Sequence, residues 1–211
     1  MIFFVLMVAV AYLVGSFPTS IIVGKLLRGI DIRQHGSGNA GGTNVFRVLG
    51  AGPGIFVMAF DVFKGFAATF WASQIAAGKL PLESGLLMLT AGIAAIVGHI
   101  WTVFAGFRGG KGVGTAAGML LALFPKALLV CLVVFFMMLL VTRIVSVSSM
   151  TAAVALPITL SVFRYALHWP VATSLYIFSF FAAILIIFTH RSNIQRLLKG
   201  TENRIGKKAG R

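Results

Sequence analysis

Four polar segments interrupt an otherwise apolar chain, and they hold most of the residues able to do chemistry. The first reads Gly36-Ser-Gly-Asn-Ala-Gly-Gly-Thr-Asn44 and is followed by Arg47. Glycines let a backbone turn until successive N–H groups share one side, and such a nest binds anions. A plain linker has no need of Asn39, Thr43, Asn44 and Arg47 in so short a stretch. Gly36, Gly38 and Gly41 match G-x-G-x-x-G in form only, because no strand precedes them and no βαβ unit fits. The second segment reads Gly98-His-Ile-Trp-Thr-Val-Phe104, then Gly106-Phe-Arg-Gly-Gly-Lys-Gly112. It is not a Walker A motif: Ala105 stands where the first glycine is needed, and Gly112 follows Lys111 in place of Ser or Thr. The physics of a phosphate loop still holds, since Gly109, Gly110 and Gly112 can free N–H groups beside the Lys111 charge. A bland reading makes the loop a basic membrane anchor and His99 an ordinary helix-end histidine.

The third segment, Arg143-Ile-Val-Ser-Val-Ser-Ser149, reads as a short turn whose hydroxyls can cap the next helix or meet a phosphate. The fourth runs from His190 to Asn203. If the preceding helix continues, His190, Asn193 and Arg196 step by three along one face, and Leu197 and Leu198 hold it to the membrane. The alternative is a snorkelling basic tail, the safer reading from Lys199 onward. Asp61 and Lys64 lie one helical turn apart inside an apolar run and are expected to pair there or to face a polar cavity.

Ordinary catalytic machinery is scarce. The chain has four acidic residues, Asp31, Asp61, Glu83 and Glu202, and no metal-ligand spacing. No histidine is followed five places on by aspartate, and no serine has an obvious base beside it. An enzyme so built works by positioning and by stabilising anionic charge.

The elements that must carry these segments are membrane helices. Of 211 residues, 59% are hydrophobic and 10% charged. Too few polar residues remain to cover a soluble surface. The net charge of +14 sits between apolar runs, a pattern for anionic lipid or phosphate and not for nucleic acid. Cys131 is the single cysteine, so an intrachain disulfide is excluded. The stretch Met1 to Leu27 lacks a basic n-region and reads as a retained span, not a cleaved signal.

Spanning helices of about 20 residues fit at about 2–26, 53–75, 85–105, 149–167 and 170–189. The region 115–142 is broken at Pro125 and reads as two spans, about 114–124 and 127–142. That makes an all-α membrane protein of seven spans in one domain, 1–211. The parity puts 14 of the 18 basic residues on one side, so the positive-inside rule sets the N-terminus outside and the C-terminus in the cytoplasm. The fourth span would cover roughly half a hydrocarbon core, so either the bilayer thins locally or the helix begins below the membrane surface, with its N-terminus in a recess after the glycine loop.

Gly15-Ser-Phe-Pro-Thr19, Gly36-Ser-Gly-Asn with Thr43, Asn44 and Arg47, Asp61-x-x-Lys-Gly65, Gly98-His99, Phe107-Arg-Gly-Gly-Lys-Gly-Val113, Val145-Ser-Val-Ser-Ser149 and His190-Arg-x-Asn-Ile-x-Arg-Leu-Leu-x-Gly-x-Glu202 recur in order along nearly the whole chain. Together they resemble the bacterial acyl-phosphate:glycerol-3-phosphate acyltransferase family. Each piece alone is weak, and the combination is specific. One departure is Gly41-Gly42 after Ala40, where a bulkier residue and then glycine are expected. The resemblance implies a seven-span enzyme of the bacterial inner membrane with its site facing the cytoplasm. It would move a fatty acyl group from acyl phosphate to the 1-hydroxyl of glycerol 3-phosphate, giving lysophosphatidic acid and phosphate. No cofactor or metal is implied; the partners are the two substrates and membrane lipid. Catalytic candidates on this resemblance are Ser37, Asn39, His99, Lys111, His190 and Asn193. Phosphate-binding candidates are Gly38, Thr43, Asn44, Arg47, Gly109, Gly110, Gly112, Ser146, Ser149 and Arg196. Asp61 and Lys64 are carried as an intramembrane pair.

Two other classes compete. A transporter or channel for a phosphorylated solute would use the same loops, but it would need polar residues at midplane and often inverted repeats. Neither is evident in this sequence. A lipid-binding scaffold would leave four polar motifs unexplained.

Overall fold

The structure, a computed structural model, describes residues 1–206. Among them there are ten α-helices, short 3-10 and π turns, and no strand. Backbone contacts divide the chain into two compact units, Met1–Leu123 and Phe124–Arg211.

The first unit begins with α1 (Ile2–Ser16) and α2 (Thr19–Arg28). The span read at about 2–26 corresponds to Ile2–Arg28, and within it the helix breaks at Phe17. Proline disfavours helical backbone in the residue before it, and Phe17 sits at ψ 117°. α3 (Gly42–Leu49) follows the first glycine segment, then α4 (Ala51–Phe70) and α5 (Ser84–Ile100). α6 (Val113–Leu123) closes the unit. Its 11 residues cover roughly half of a hydrocarbon core at about 1.5 Å each, as the sequence led one to expect. α6 lies tightly on α4. A Cβ added at Gly65 would overlap the Thr115 carbonyl, and one at Gly118 would overlap the Val62 carbonyl. Small residues of this kind let membrane helices approach until backbones touch.

The second unit holds α7 (Pro125–Thr142), α8 (Val145–Ser161), a π turn over Val162–Ala166, α9 (Thr173–Thr189) and α10 (Arg191–Leu198). α8 starts four residues before the expected boundary, because the serine-rich stretch is helical and only Arg143 and Ile144 form the turn. Arg143 takes a left-handed φ of 57° there. The last span does not continue straight into its polar motif: α9 and α10 meet at a 57° bend. Among the described residues, five helical segments are long and apolar enough to cross a membrane, or six if that bent pair is one span. The chain is a multi-pass membrane protein.

Candidate functional site

In the first unit, Asn44 organises the first glycine segment. Its Oδ1 accepts from the Ser37 N–H at 2.8 Å, and its Nδ2 donates to the carbonyls of Ile32, His35 and Asn39, each at 3.0 Å. The side chain is buried and committed to the loop. The nest read from sequence therefore folds inward in part: Ser37 N–H is spent on Asn44, and Gly38 N–H donates to His35 O. Ser37, Asn39 and Thr43 are half-buried and Arg47 is exposed on α3.

A brace unseen in the sequence ties this segment to the second loop. Arg33 grips Asp31 through Nε and Nη2 and donates Nη1 to Ala105 O at 2.7 Å. Its side-chain hydrogen bonds hold the Asp31 carboxyl at about 2.

The second loop also differs from the expectation. Gly109 N–H donates to Ile100 O at 3.0 Å, and Gly110 N–H to His99 O at 3.1 Å. These two amides are not open to a phosphate. Both positions require glycine because of His99: a Cβ at Gly109 would overlap its carbonyl, and one at Gly110 would strike ring Nε2. Gly112 turns at φ +83° just before α6. Lys111 is half-buried between them.

Beneath the loops lies a buried charge cluster. Lys64 Nζ is 2.8 Å from Asp61 Oδ1, and His99 Nδ1 is 3.5 Å from the same oxygen. The expected Asp61–Lys64 pair is present, with His99 as a third member. Lys64 also donates to Phe17 O at 3.0 Å, a carbonyl exposed by the break before Pro18. A pocket of about 230 Å³ opens at this point. It is lined by Ser16 to Ile21, Ala40, Asp61, Lys64, His99, Thr102, Gly109 and Gly110.

In the second unit, Glu202 gathers the polar motif. It accepts from Ser146 Oγ at 3.0 Å, from Asn193 Nδ2 at 2.6 Å and from Arg196 Nε at 2.7 Å. Three residues read as meeting substrate are thus held by one nearly buried carboxylate. The His190 ring is buried and its Nδ1–H donates to Ile186 O at 2.7 Å. A carbonyl only accepts, so the proton sits on Nδ1 when the ring is neutral. Capping by Ser146 or Ser149 does not occur: both lie in the first turns of α8, whose N-cap is Ile144. Ser148 is the serine that bonds back, to Ile144 O at 2.9 Å.

A sequence model of the family described as glycerol-3-phosphate acyltransferase matches residues 5–200. The chain belongs to that family. A glycerol-3-phosphate acyltransferase of Chlorobaculum tepidum is 46% identical, covering 97% of each chain. One from Chlorobium phaeobacteroides is 43% identical over 93% of this chain and 94% of its own. Among solved structures, the crystal structure of PlsY, an integral membrane glycerol 3-phosphate acyltransferase, in its glycerol 3-phosphate form is 36% identical with a TM-score of 0.82, covering 96% of both chains. Its lysophosphatidic acid form gives a TM-score of 0.79 at 36% identity, covering 96% of this chain and 95% of that one. Family membership makes the chain an acyltransferase of lipid synthesis, as the sequence resemblance implied.

Three polar groups escaped the sequence reading of the site. Arg33 and Asp31 looked like ordinary loop charges, and Glu202 looked like part of a tail. The one available signal was scarcity. With four acidic residues in 211, each acid is a candidate for holding a cation.

Proposed function

We propose that the chain transfers a fatty acyl group from acyl phosphate to the 1-hydroxyl of glycerol 3-phosphate, releasing lysophosphatidic acid and inorganic phosphate. The observation that carries this reading is the likeness along 96% of the chain to a structure described as a glycerol 3-phosphate form. The hydroxyl oxygen attacks the acyl carbon, the new C–O bond forms, and the bond from that carbon to the phosphate oxygen breaks. Phosphate leaves and one of its oxygens takes the hydroxyl proton. An acyl phosphate is already activated, so the chain's lack of carboxylate acid–base pairs is no obstacle.

In the first unit Arg47 and Lys111 supply charge to a substrate phosphate, with Ser37, Asn39 and Thr43 adding polar contacts and His99 facing the loop. Gly38, Gly109, Gly110 and Gly112 shape that backbone, and Asn44 braces it. In the second unit His190 and Asn193 act on substrate, with Ser146, Ser149 and Arg196 reserved for phosphate. Asp61 and Lys64 form the buried pair under the loops. Residues 1–211 work as one domain, since the family match runs through both compact units. We place it in the bacterial inner membrane with seven spans, counting α6 as one, an outside N-terminus and a site facing the cytoplasm. The partners are its two substrates and membrane lipid.

Purified protein given acyl phosphate and glycerol 3-phosphate should release phosphate and lysophosphatidic acid in equal amounts. Equal turnover with acyl-CoA in place of acyl phosphate would overturn the donor assignment. Passage of glycerol 3-phosphate into proteoliposomes without acylation would favour the transporter.

A further inference from the structure

Thr19 opens α2 and is 4% exposed, yet its hydroxyl has no hydrogen-bond partner among the described residues. A buried polar group left unmatched is costly, so such a group marks a place that something else fills. Thr19 lies in the wall of the pocket beneath the glycine loops. Its neighbours Ser16 and Thr102 are differently placed. Ser16 Oγ donates to Gly98 O at 3.2 Å and Thr102 Oγ1 donates to Ser16 O, so both are satisfied within the protein.

The other walls say what kind of group fits. Asp61 contributes a carboxylate whose Oδ1 already holds Lys64. His99 turns Nδ1 to Asp61 and lays Nε2 against Gly110. In the neutral ring the carboxylate favours the proton on Nδ1, and Nε2 is then an acceptor. Lys64 is taken by Asp61 and the Phe17 carbonyl. A phosphate would meet a carboxylate here, and the Lys64 ammonium is already spent on it. The enclosed part of the pocket is about the size of one oxygen-bearing group. A donor-acceptor hydroxyl on one side and acceptors on the other suit a neutral hydroxyl, which both donates and accepts.

We infer that this pocket is a hydroxyl-reading subsite, with Thr19 as its specificity residue, and that it takes the 2-hydroxyl of glycerol 3-phosphate. The inference rests on the proposed acyl transfer. It explains the break in the first span: Pro18 ends α1 and thereby sets the Thr19 side chain in the wall of a polar pocket. It also explains why the backbone at Gly109 and Gly110 is pulled onto His99, since that closure makes one wall.

The test compares glycerol 3-phosphate with 3-hydroxypropyl phosphate, which keeps the reacting hydroxyl and lacks the secondary one. The parent protein should favour glycerol 3-phosphate by about ten- to hundredfold in kcat/KM. Thr19→Val keeps the shape and removes the hydroxyl. It should lower kcat/KM about tenfold for glycerol 3-phosphate and hardly at all for the analogue. Thr19→Ser should restore the preference. The subsite is overturned if the parent uses both substrates alike, a result that needs no variant. It is overturned equally if Thr19→Val slows both substrates to the same degree, as a bound water or a structural hydroxyl would, or slows neither. A parent that turns over neither substrate with acyl phosphate overturns the proposed function itself, and the subsite with it.

Discussion

Gly109 and Gly110 spend their N–H groups on the carbonyls of Ile100 and His99, so the loop meets a phosphate through side-chain charge, and Lys111 carries it beside these glycines. A substrate phosphate changes its charge as the acyl group leaves. Removing one charged donor from such a site costs roughly 2–4 kcal/mol of transition-state stabilisation. Lys111→Ala should therefore lower kcat/KM by about two to three orders of magnitude while the protein still folds. Lys111→Arg keeps the charge, but its planar fork should fit poorly between two glycines and leave activity well below the parent. Steady-state kinetics on monodisperse protein decides, and Lys111→Ala activity within a few fold of the parent would return the loop to a mere membrane anchor. Gly110→Val should be as harmful for a different reason than sequence suggested. Its side chain would run into His99 Nε2 and push the ring off Asp61, so the damage should extend to the buried cluster.

The broken first span and α4 depend on each other. Phe17 gives up helical backbone before Pro18, and its freed carbonyl becomes a ligand for Lys64. Lys64 in turn balances Asp61 one turn below it on α4. Removing one partner of a buried pair strands the other, at a cost of about 3–5 kcal/mol, whereas replacing both with apolar groups can be nearly neutral. Asp61→Leu or Lys64→Met alone should therefore lower the thermal midpoint in detergent sharply, and the double replacement should lose clearly less than the two singles added. Additive losses would mean that the pair is not coupled. Only part of this was legible beforehand. The i, i+3 spacing of Asp61 and Lys64 is local, and it was readable as a pair. The short α6 was readable too, because Pro125 stops the apolar run. Pro18 stands inside the first apolar run, and the hydropathy that continues on both sides of it does not show that the helix breaks there. The early start of α8 was missed because serines look like loop residues; buried in a helix, Ser148 satisfies its hydroxyl on the carbonyl four residues back.

Across the whole chain, what could be read depended on how far apart in sequence the partners stand. Membrane class follows from composition alone, and the candidate phosphate segments follow from local density of glycine and polar side chains. The contacts that set each residue's role are long-range. His99 reaches Asp61 across 38 positions, Arg33 reaches Ala105 across 72 and Ser146 reaches Glu202 across 56. No local pattern announces them, and for that reason the sequence does not show that Asn44 braces its own loop or that Arg196 also holds Glu202. Topology stands on a property that is global and additive, the sum of basic residues per side. Fourteen of the 18 fall on one face only if both α6 and α7 count as crossings. Three of those fourteen, Lys207, Lys208 and Arg211, lie outside the described residues. The count therefore makes a prediction that helix length by itself does not, because α6 is too short to pass as an ordinary span. A cysteine placed at Glu83, before α5, should react with a membrane-impermeant maleimide added to intact cells, in a background where Cys131 is replaced. A cysteine at Lys207 should react only after the cells are opened. If α6 does not cross, the tail moves to the outside and Lys207 labels in intact cells alongside Glu83; that single result would remove one crossing and with it the seven-span arrangement.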